Sequence, residues 1–199
     1  MNNTVRTYLA AYNAIAFLFW AGFLVCYLAS SLQMSATSLM LLNIAQGMAL
    51  LEILHALLKW VKSPVGSTIA QVASRIMVLV FINLFIYKYA DVTVFRLGVL
   101  TVSFAWTITE LIRYSFYFFA LFGRQFNTLL WMRYSFFILL YPIGVTGEWL
   151  ILITPLAANG ITLSIYTGFL AVTLVAYVYY FPVLYGYMFK QRKVKVTGK

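Results

Sequence analysis

Long apolar runs alternate with short polar breaks along almost the whole chain. Each run holds about 20 residues or more, which is the length that a helix needs to cross the hydrocarbon core of a bilayer. The breaks contain turn-forming or helix-ending residues, as in Lys62-Ser63-Pro64 and in residues 155–160. The pattern therefore predicts six transmembrane helices, at residues 8–32, 38–58, 68–87, 94–122, 128–153 and 161–189.

The composition favours a membrane protein without a separate soluble domain. Of the 199 residues, 64% are hydrophobic and 9% are charged, whereas an ordinary soluble domain has roughly 25% charged residues. The first apolar run is longer than the apolar part of a cleavable signal peptide, so we expect it to be retained. The predicted fold class is all-α, with six transmembrane helices in one bundle. Residues 1–199 form one predicted domain with a short N-terminus and a basic tail at residues 190–199.

The basic residues are distributed unevenly between the two sides of the predicted bundle. The chain has 14 Lys and Arg against 4 Asp and Glu, which gives a net charge of +10. Six crossings place both termini on one side, where the positive-inside rule predicts the cytosol, and Lys88 and Arg96 lie on the other side. The excess of basic residues suits anionic lipid headgroups or phosphorylated ligands. It does not indicate nucleic-acid binding, because the sequence has no basic stripe on a polar surface. The cations on the side of the termini are Arg6, Lys59, Lys62, Arg124, Arg133, Lys190, Arg192, Lys193, Lys195 and Lys199.

Five ionisable residues lie inside the predicted helices. Each costs about 2.5–3.5 kcal/mol on insertion scales and therefore needs either a structural partner or a function. Glu110, Arg113 and Tyr114 are spaced i, i+3 and i+4, so they share one face of the fourth helix. Glu110 and Arg113 can neutralise each other, and Arg75 can pair with Glu110 or with Glu148. The five residues are Glu52, Arg75, Glu110, Arg113 and Glu148.

The fifth predicted helix carries a second polar face, formed by Tyr141 and Glu148. Seven residues amount to about two turns, so the two side chains lie on one face, roughly 10 Å apart along the axis. Pro142 can kink the helix, and Gly144 and Gly147 allow close approach of a ligand or of a neighbouring helix. A carboxyl group removed from water and a phenol can exchange protons with a substrate, as a dehydration requires. The same residue types also occur in transporters and in inert bundles.

Two other candidate groups are discounted. His55 follows Glu52 by three residues but lacks the further ligands that a zinc site needs, so we expect a structural hydrogen bond. Cys26 is the single cysteine, which excludes an intramolecular disulfide and a metal cluster with several Cys ligands. The residue six positions after Cys26 is Leu32 rather than Arg, so the loop of a cysteine-based phosphatase is absent. We expect neither a metal nor a cofactor.

The motifs of this chain resemble those of a known family, the 3-hydroxyacyl-CoA dehydratases of very-long-chain fatty acid elongation, once called protein tyrosine phosphatase-like proteins. The resemblance covers roughly residues 8–192 and depends on the order and spacing of several short motifs. These are Leu51-Glu52-Ile53-Leu54-His55, Lys62-Ser63-Pro64-Val65, Gln71-Val72-Ala73-Ser74-Arg75, Thr107-Ile108-Thr109-Glu110-Leu111-Ile112-Arg113-Tyr114-Ser115-Phe116, Arg133-Tyr134 and Tyr141-Pro142-Ile143-Gly144-Val145 with Glu148.

The resemblance implies that Tyr141 and Glu148, in the motif Tyr-Pro-x-Gly-x-x-x-Glu, form the catalytic pair. It implies a protein of the endoplasmic reticulum membrane that converts a (3R)-3-hydroxyacyl-CoA into the trans-2-enoyl-CoA and water. It also implies partners, namely the elongase condensing enzyme, the ketoacyl-CoA reductase and the enoyl-CoA reductase. The connection at residues 155–161 is shorter than we expect in relatives, and the tail lacks a terminal di-lysine signal. The other matching positions, expected to support catalysis or to bind substrate, are Arg75, Glu110, Arg113, Tyr114, Arg133 and Gly144.

Several roles stay open at the level of sequence. Either Glu148 or Tyr141 can be the base, with the other as the acid. Arg75 and Arg113 can stabilise the enolate-like thioester oxygen, or serve in structural pairing and electrostatic tuning, which we favour. The alternative function is an inactive scaffold or a small transporter with buried Glu and Arg pairs, although the chain lacks the matched halves typical of transporters. Candidate contacts of the CoA phosphates are Lys59, Lys62, Arg124 and Arg133.

Overall fold

The computed structural model describes residues 2–160 and 164–197 of the chain. These residues form helices and no β-strands, and six of the helices are long and apolar enough to cross a membrane. Leu18 and Leu84 are each 65% exposed, as is usual for side chains that face lipid. The predicted all-α membrane protein with six spanning helices is therefore confirmed. The helices are α1 Asn3–Ala29, α2 Ala36–Leu57, α3 Val65–Phe85, α4 Thr93–Leu121, α5 Asn127–Ser135, α6 Phe137–Asn159 and α7 Ile165–Arg192, followed by a π-helical segment at Lys193–Thr197.

Polar side chains fix where the first two helices begin. The Oδ1 atom of Asn2 accepts a hydrogen bond from the backbone N–H of Thr4 at 3.3 Å, and α1 begins at Asn3. The hydroxyl of Ser35 accepts one from the backbone N–H of Ser38 at 3.2 Å at the start of α2. Such caps satisfy N–H groups that have no partner within the helix. The prediction starts α1 at residue 8 because the first turn is polar, and the apolar pattern begins only after it.

The predicted fifth span consists of two helices, α5 and α6, which meet at Phe136. Helix α6 continues through Pro142. A proline has no N–H, so the carbonyl of Ile138 loses its usual helical donor. The hydroxyl of Tyr185 on α7 donates to that carbonyl at 2.9 Å. A side chain from another helix thus replaces the missing backbone hydrogen bond, as polar groups within a membrane require.

The predicted break at residues 155–160 is wrong over most of its length, because α6 runs through Pro155 to Asn159. A proline removes one backbone hydrogen bond, but in an apolar environment the helix continues to satisfy its other polar groups internally. Gly160 follows α6 with a φ of 79°, a conformation that favours glycine. The predicted start of the last span at Ile161 lies outside the described residues, as do residues 198 and 199 of the predicted basic tail.

The chain divides into two compact units, of which the first comprises Met1–Lys88 and Glu110–Gln125. Within this unit α1 packs against α2, and α2 packs against α3. The buried face of α1 is rich in aromatic residues, and the rings of Phe23 and Tyr27 stack with their centroids 5.6 Å apart. Packing contacts of this kind drive association between membrane helices. The single-domain organisation of the whole chain stays a prediction.

The second unit comprises Tyr89–Thr109 and Phe126–Lys199. Helix α6 packs against α7, and α5 contacts both of them. Helices α4 and α6 approach closely at Gly98 and Gly147, where a methyl group added to Gly98 would lie 2.9 Å from the carbonyl oxygen of Gly147. Small residues permit this backbone proximity. The crossing fixes the part of α6 that immediately precedes Glu148.

Candidate functional site

The first unit contains a network of ion pairs centred on Glu110, which is 1% exposed. Nη1 of Arg75 contacts Oε1 of Glu110, and Nε of Arg113 donates to Oε2 of Glu110 at 2.7 Å. The Nη1 and Nη2 atoms of Arg113 each donate to a different oxygen of Glu52 at 2.6 Å. This is the bidentate arrangement that makes arginine–carboxylate pairs strong. Two carboxylates and two guanidinium groups therefore balance in charge.

Tyrosine hydroxyls complete the surroundings of Glu52. Tyr114 donates to Oε1 of Glu52 at 2.8 Å, and Tyr12 lies 3.3 Å from the same oxygen. Next to them, the hydroxyl of Tyr8 and Nε2 of His55 form a hydrogen bond at 3.0 Å. The hydrogen bond expected for His55 is therefore present. Burial of charges that are paired and hydrogen-bonded in this way costs much less free energy than burial of isolated charges.

Several sequence predictions concern this network, which we call the ion-pair cluster: Glu52, Arg75, Glu110, Arg113 and Tyr114. The spacing of Glu110 and Arg113 correctly predicted their contact. Arg75 pairs with Glu110, one of the two acids considered for it. The pairing of Glu52 with Arg113 was not foreseen, because the two residues are distant in sequence and only helix packing brings them together.

The second unit holds Glu148 in different surroundings. Nε1 of Trp106 on α4 donates to Oε1 of Glu148 at 3.1 Å, and the hydroxyl of Tyr177 on α7 donates to Oε2. Glu148 itself is on α6 and is 9% exposed. The carboxylate of Glu148 and its two donors thus come from three helices, and both donors are neutral. We call Trp106, Glu148 and Tyr177 the Glu148 site.

Tyr141 lies two turns before Glu148 on α6, about 10 Å along the helix axis. Its ring stacks on those of Phe181, with centroids 5.1 Å apart, and Tyr185, at 6.0 Å. The planes are tilted by 11° and 7° respectively, so the three rings are almost parallel. The stack orients the Tyr141 ring, and the hydrogen bond from Tyr185 to α6 anchors the stack.

Two apolar clefts lie in the second unit. The larger has a volume of about 390 Å³, within the usual range for small-molecule sites. At its rim, Nε of Arg192 donates to the hydroxyl of Ser135 at 3.2 Å. The smaller, of about 180 Å³, is bordered by the ring of Tyr177. The larger cleft is lined by Ile108, Trp131, Ser135, Phe136, Ile138, Leu139, Leu140 and Arg192.

The two remaining predicted site residues, Arg133 and Gly144, lie on α5 and α6 respectively. The guanidinium of Arg133, at the end of α5, lies 5.7 Å from the ring centroid of Tyr134. A methyl group on Gly144 would meet Cβ of Ala105 at 3.4 Å, an ordinary contact. Among residues 2–160 and 164–197, no three His, Cys, Asp or Glu side chains cluster as metal ligands do.

Trp106 and Tyr177 are the residues of the Glu148 site that sequence reasoning missed. Aromatic residues make up 19% of the chain, and at the level of sequence most of them suit lipid-facing or interfacial positions as well as a site. Helix α7 alone contains several tyrosines, so nothing in the sequence distinguishes Tyr177 from its neighbours. Only the packing of α4 and α7 beside Glu148 identifies these donors.

The family model described as "Protein tyrosine phosphatase-like protein, PTPLA" matches residues 46–198. The chain belongs to this family. The very-long-chain (3R)-3-hydroxyacyl-CoA dehydratase hpo-8 of Caenorhabditis elegans is 38% identical over 98% of this chain and 96% of its own length. The family resemblance found in the sequence is thus confirmed.

Two further relatives carry dehydratase names. PASTICCINO 2 of Arabidopsis thaliana, a very-long-chain (3R)-3-hydroxyacyl-CoA dehydratase, is 40% identical over 72% of this chain and 66% of its own length. Very-long-chain (3R)-3-hydroxyacyl-CoA dehydratase 2 of Homo sapiens is 37% identical over 73% and 61% respectively. No solved structure matches the chain. The residues matched by the PTPLA family model include both the ion-pair cluster and the Glu148 site.

Proposed function

We propose that the chain is a very-long-chain (3R)-3-hydroxyacyl-CoA dehydratase, which carries out the third step of the fatty acid elongation cycle. The observation that carries this proposal is the similarity to the Caenorhabditis elegans dehydratase along 96% of that protein's length. The substrate is a (3R)-3-hydroxyacyl-CoA and the products are the trans-2-enoyl-CoA and water. In the reaction the C2–H and C3–O bonds break and a C2=C3 double bond forms, so the enzyme must accept one proton and deliver one.

The Glu148 site is the group that best suits this proton transfer. The hydrogen bonds from Trp106 and Tyr177 come from neutral groups, so a change of charge at Glu148 does not break an ion pair with either donor. In the ion-pair cluster, protonation of Glu52 or Glu110 would break contacts with arginine. A base must change its protonation state during each turnover. This difference supports Glu148 rather than Glu52 or Glu110.

Tyr141 is the proposed partner of Glu148 in catalysis. We favour Glu148 as the base that takes the C2 proton, because both of its oxygens accept hydrogen bonds and so suit the carboxylate form. Tyr141 then donates a proton to the departing C3 hydroxyl, and its stacked ring gives that hydroxyl a fixed position. The exchanged assignment, with Tyr141 as base, requires that Glu148 carry the proton at the start of the reaction.

The other predicted site residues receive supporting roles. The ion pairs of Arg75 and Arg113 support structural pairing with Glu52 and Glu110 rather than contact with the thioester. Gly144 lies between Tyr141 and Glu148 on α6, where the absence of a side chain permits close approach of a ligand or of a neighbouring helix. Arg133, at the end of α5, remains a proposed contact of the CoA phosphates, because basic side chains near the ends of helices suit phosphate groups. The apolar clefts of the second unit suit an aliphatic chain.

The proposed location is the endoplasmic reticulum membrane, with both termini in the cytosol. Six apolar helices and the basic residues that end α7 and follow it support this topology. The proposed partners are the elongase condensing enzyme, the ketoacyl-CoA reductase and the enoyl-CoA reductase. Epitope tags at the two termini should both be accessible to antibody after the plasma membrane alone is permeabilised. A tag that becomes accessible only after full permeabilisation would contradict the topology.

The deciding experiment is dehydration of long-chain (3R)-3-hydroxyacyl-CoA by protein purified in detergent, with mass spectrometry of the enoyl product. Wild-type protein should form the product, whereas Tyr141→Phe and Glu148→Gln should each lose most of the turnover. If folded wild-type protein fails to dehydrate several chain lengths, the dehydratase assignment is wrong and an inactive scaffold becomes the better explanation. Turnover that both variants retain would instead refute the catalytic pair.

A further inference from the structure

We propose that Tyr177 is a positioning residue, which holds the carboxylate of Glu148 in the orientation needed for proton transfer. The inference deepens the proposed dehydratase function and rests on it. Its basis is the direct hydrogen bond from the Tyr177 hydroxyl to Oε2 of Glu148. Tyr141 lies two turns away from Glu148 along α6, whereas Tyr177 contacts the carboxylate from a separate helix, α7.

Two donors from two helices restrict the rotation of the Glu148 side chain. Trp106 on α4 binds Oε1, and Tyr177 on α7 binds Oε2, so that each oxygen accepts one described hydrogen bond from these donors. Removal of either donor would allow the carboxylate to turn about its terminal bond. A reacting group that rotates freely spends less time in the productive geometry.

The ring of Tyr177 is itself fixed by its neighbours. Trp149 packs edge to face against it, with centroids 5.6 Å apart and planes at 80°. Val145, on the same helix as Glu148, and Phe181 border the small apolar cleft together with Tyr177. Tyr177 therefore touches both this cleft and Glu148, and an apolar group in the cleft would pack against the ring that orients the carboxylate.

The test replaces Tyr177 by Phe, which removes the hydroxyl and keeps the ring. Tyr166→Phe is the matched control, because Tyr166 is also on α7 and its hydroxyl donates to the carbonyl of Leu152 at 2.7 Å rather than to Glu148. Loss of one hydrogen bond to a charged group should lower kcat roughly ten- to hundredfold in Tyr177→Phe, with KM within about twofold of wild type. Tyr166→Phe should keep a kcat close to that of wild type.

A second measurement reads Glu148 directly and does not depend on turnover. Infrared difference spectra between wild type and Glu148→Gln identify the carboxyl bands of Glu148. Tyr177→Phe should shift these bands, and Tyr166→Phe should leave them in place. A structural role limited to packing would lower the stability of the variant without a specific shift of the Glu148 bands.

The outcomes separate this inference from the function on which it rests. Unshifted bands in Tyr177→Phe, an unchanged kcat, or equal losses of kcat in both tyrosine variants would overturn the positioning role. Shifted bands together with a selective fall of kcat would support it. If Tyr177→Phe shifts the Glu148 bands but the wild-type protein dehydrates no substrate, the contact with Glu148 is supported. Only the dehydratase assignment is then refuted.

Discussion

Buried glutamates occur in both units of the chain, but in opposite chemical surroundings. Glu110 in the first unit binds two arginines, and Glu52 shares one of them through a bidentate contact. Glu148 in the second unit accepts hydrogen bonds from an indole N–H and a phenol. A buried charge is tolerated in either case because it is hydrogen-bonded. The difference is that the first arrangement pairs opposite charges, whereas the donors from Trp106 and Tyr177 to Glu148 are neutral, so a change of charge at Glu148 breaks no ion pair with them.

In the proposed mechanism, glutamate therefore has a structural role in the ion-pair cluster and a chemical role in the Glu148 site. Removing one member of a buried ion pair leaves an uncompensated charge, which mainly reduces stability. Removing the carboxyl group of Glu148 takes away a proton acceptor, which mainly reduces the rate of the reaction. Substitutions in the two units should therefore affect stability and activity in opposite proportions.

Glu148→Gln should have the largest effect. Its amide keeps the size of the side chain and can still accept a hydrogen bond from Trp106, but it cannot take a proton. General acid or base catalysis contributes about 10²–10⁴-fold, so kcat should fall by about a thousandfold, while the Tm in detergent changes little. Product formation is measured by mass spectrometry and folding by thermal unfolding of the same sample. Turnover within tenfold of wild type would contradict the role of Glu148.

Glu110→Gln should have the next largest effect, and it should act on stability. Arg75 and Arg113 would then share the single negative charge of Glu52, and breaking a buried pair in this way costs about 3–5 kcal/mol. Thermal unfolding in detergent should show a clear drop in Tm. The kcat of the protein that remains folded should fall much less than in Glu148→Gln.

A second substitution sharpens this prediction. Arg75→Gln added to Glu110→Gln restores the balance of one carboxylate and one guanidinium, so the double variant should recover part of the lost stability. Non-additivity of this kind is expected for residues in one network. A double variant that is less stable than Glu110→Gln would show that charge balance does not determine the stability of the ion-pair cluster.

The contacts of the ion-pair cluster could be predicted from the sequence better than those of the Glu148 site, for a physical reason. Residues on one helix have a fixed geometry, so the spacing of Glu110 and Arg113 was enough to predict their contact. The bidentate pair of Arg113 with Glu52, and the donors from Trp106 and Tyr177 to Glu148, depend on how separate helices pack. Long-range packing leaves no periodic signal in a single sequence.

The helix boundaries show the same limit. The lengths of the apolar runs predicted all six spans, but they could not distinguish a proline that ends a helix from one inside it. Helix α6 contains both Pro142 and Pro155. The carbonyl deprived of its donor by Pro142 is satisfied by Tyr185, a residue of another helix. The prediction at residues 155–160 failed because it treated proline as a local signal, whereas its effect depends on tertiary partners.

Gly147→Ala should have an intermediate effect on both properties. A methyl group there would lie 2.8 Å from Cγ2 of Val102 and 2.9 Å from the carbonyl oxygen of Gly98, so α4 and α6 would have to separate. Overpacking of this kind costs about 1–3 kcal/mol. Because Glu148 is the next residue, its contact with Trp106 should also weaken, and kcat should fall several-fold. Tm and kcat measured on the same preparation test both effects.

Gly144→Ala is the matched control for this crossing. The added methyl group would meet Cβ of Ala105 at 3.4 Å, an ordinary contact. Alanine also has a higher helix propensity than glycine by about 1 kcal/mol. Gly144→Ala should therefore leave Tm unchanged or slightly higher. Equal losses of stability in the two alanine variants would show that the close approach at Gly147 is not the cause.

Tyr8→Phe should have the smallest effect, because it removes only the neutral hydrogen bond to His55 at 3.0 Å. The ring contacts with His55 and Trp60, at 5.4 Å and 5.5 Å between centroids, would remain. Tyr8 is 40% exposed, so the cost should lie near the lower end of the usual 0.5–1.5 kcal/mol. Tm should fall by a few degrees at most, and kcat should stay unchanged, since neither residue belongs to the Glu148 site. A large loss of kcat without a loss of stability would instead show that His55 takes part in the chemistry and that the first unit is more than a structural support.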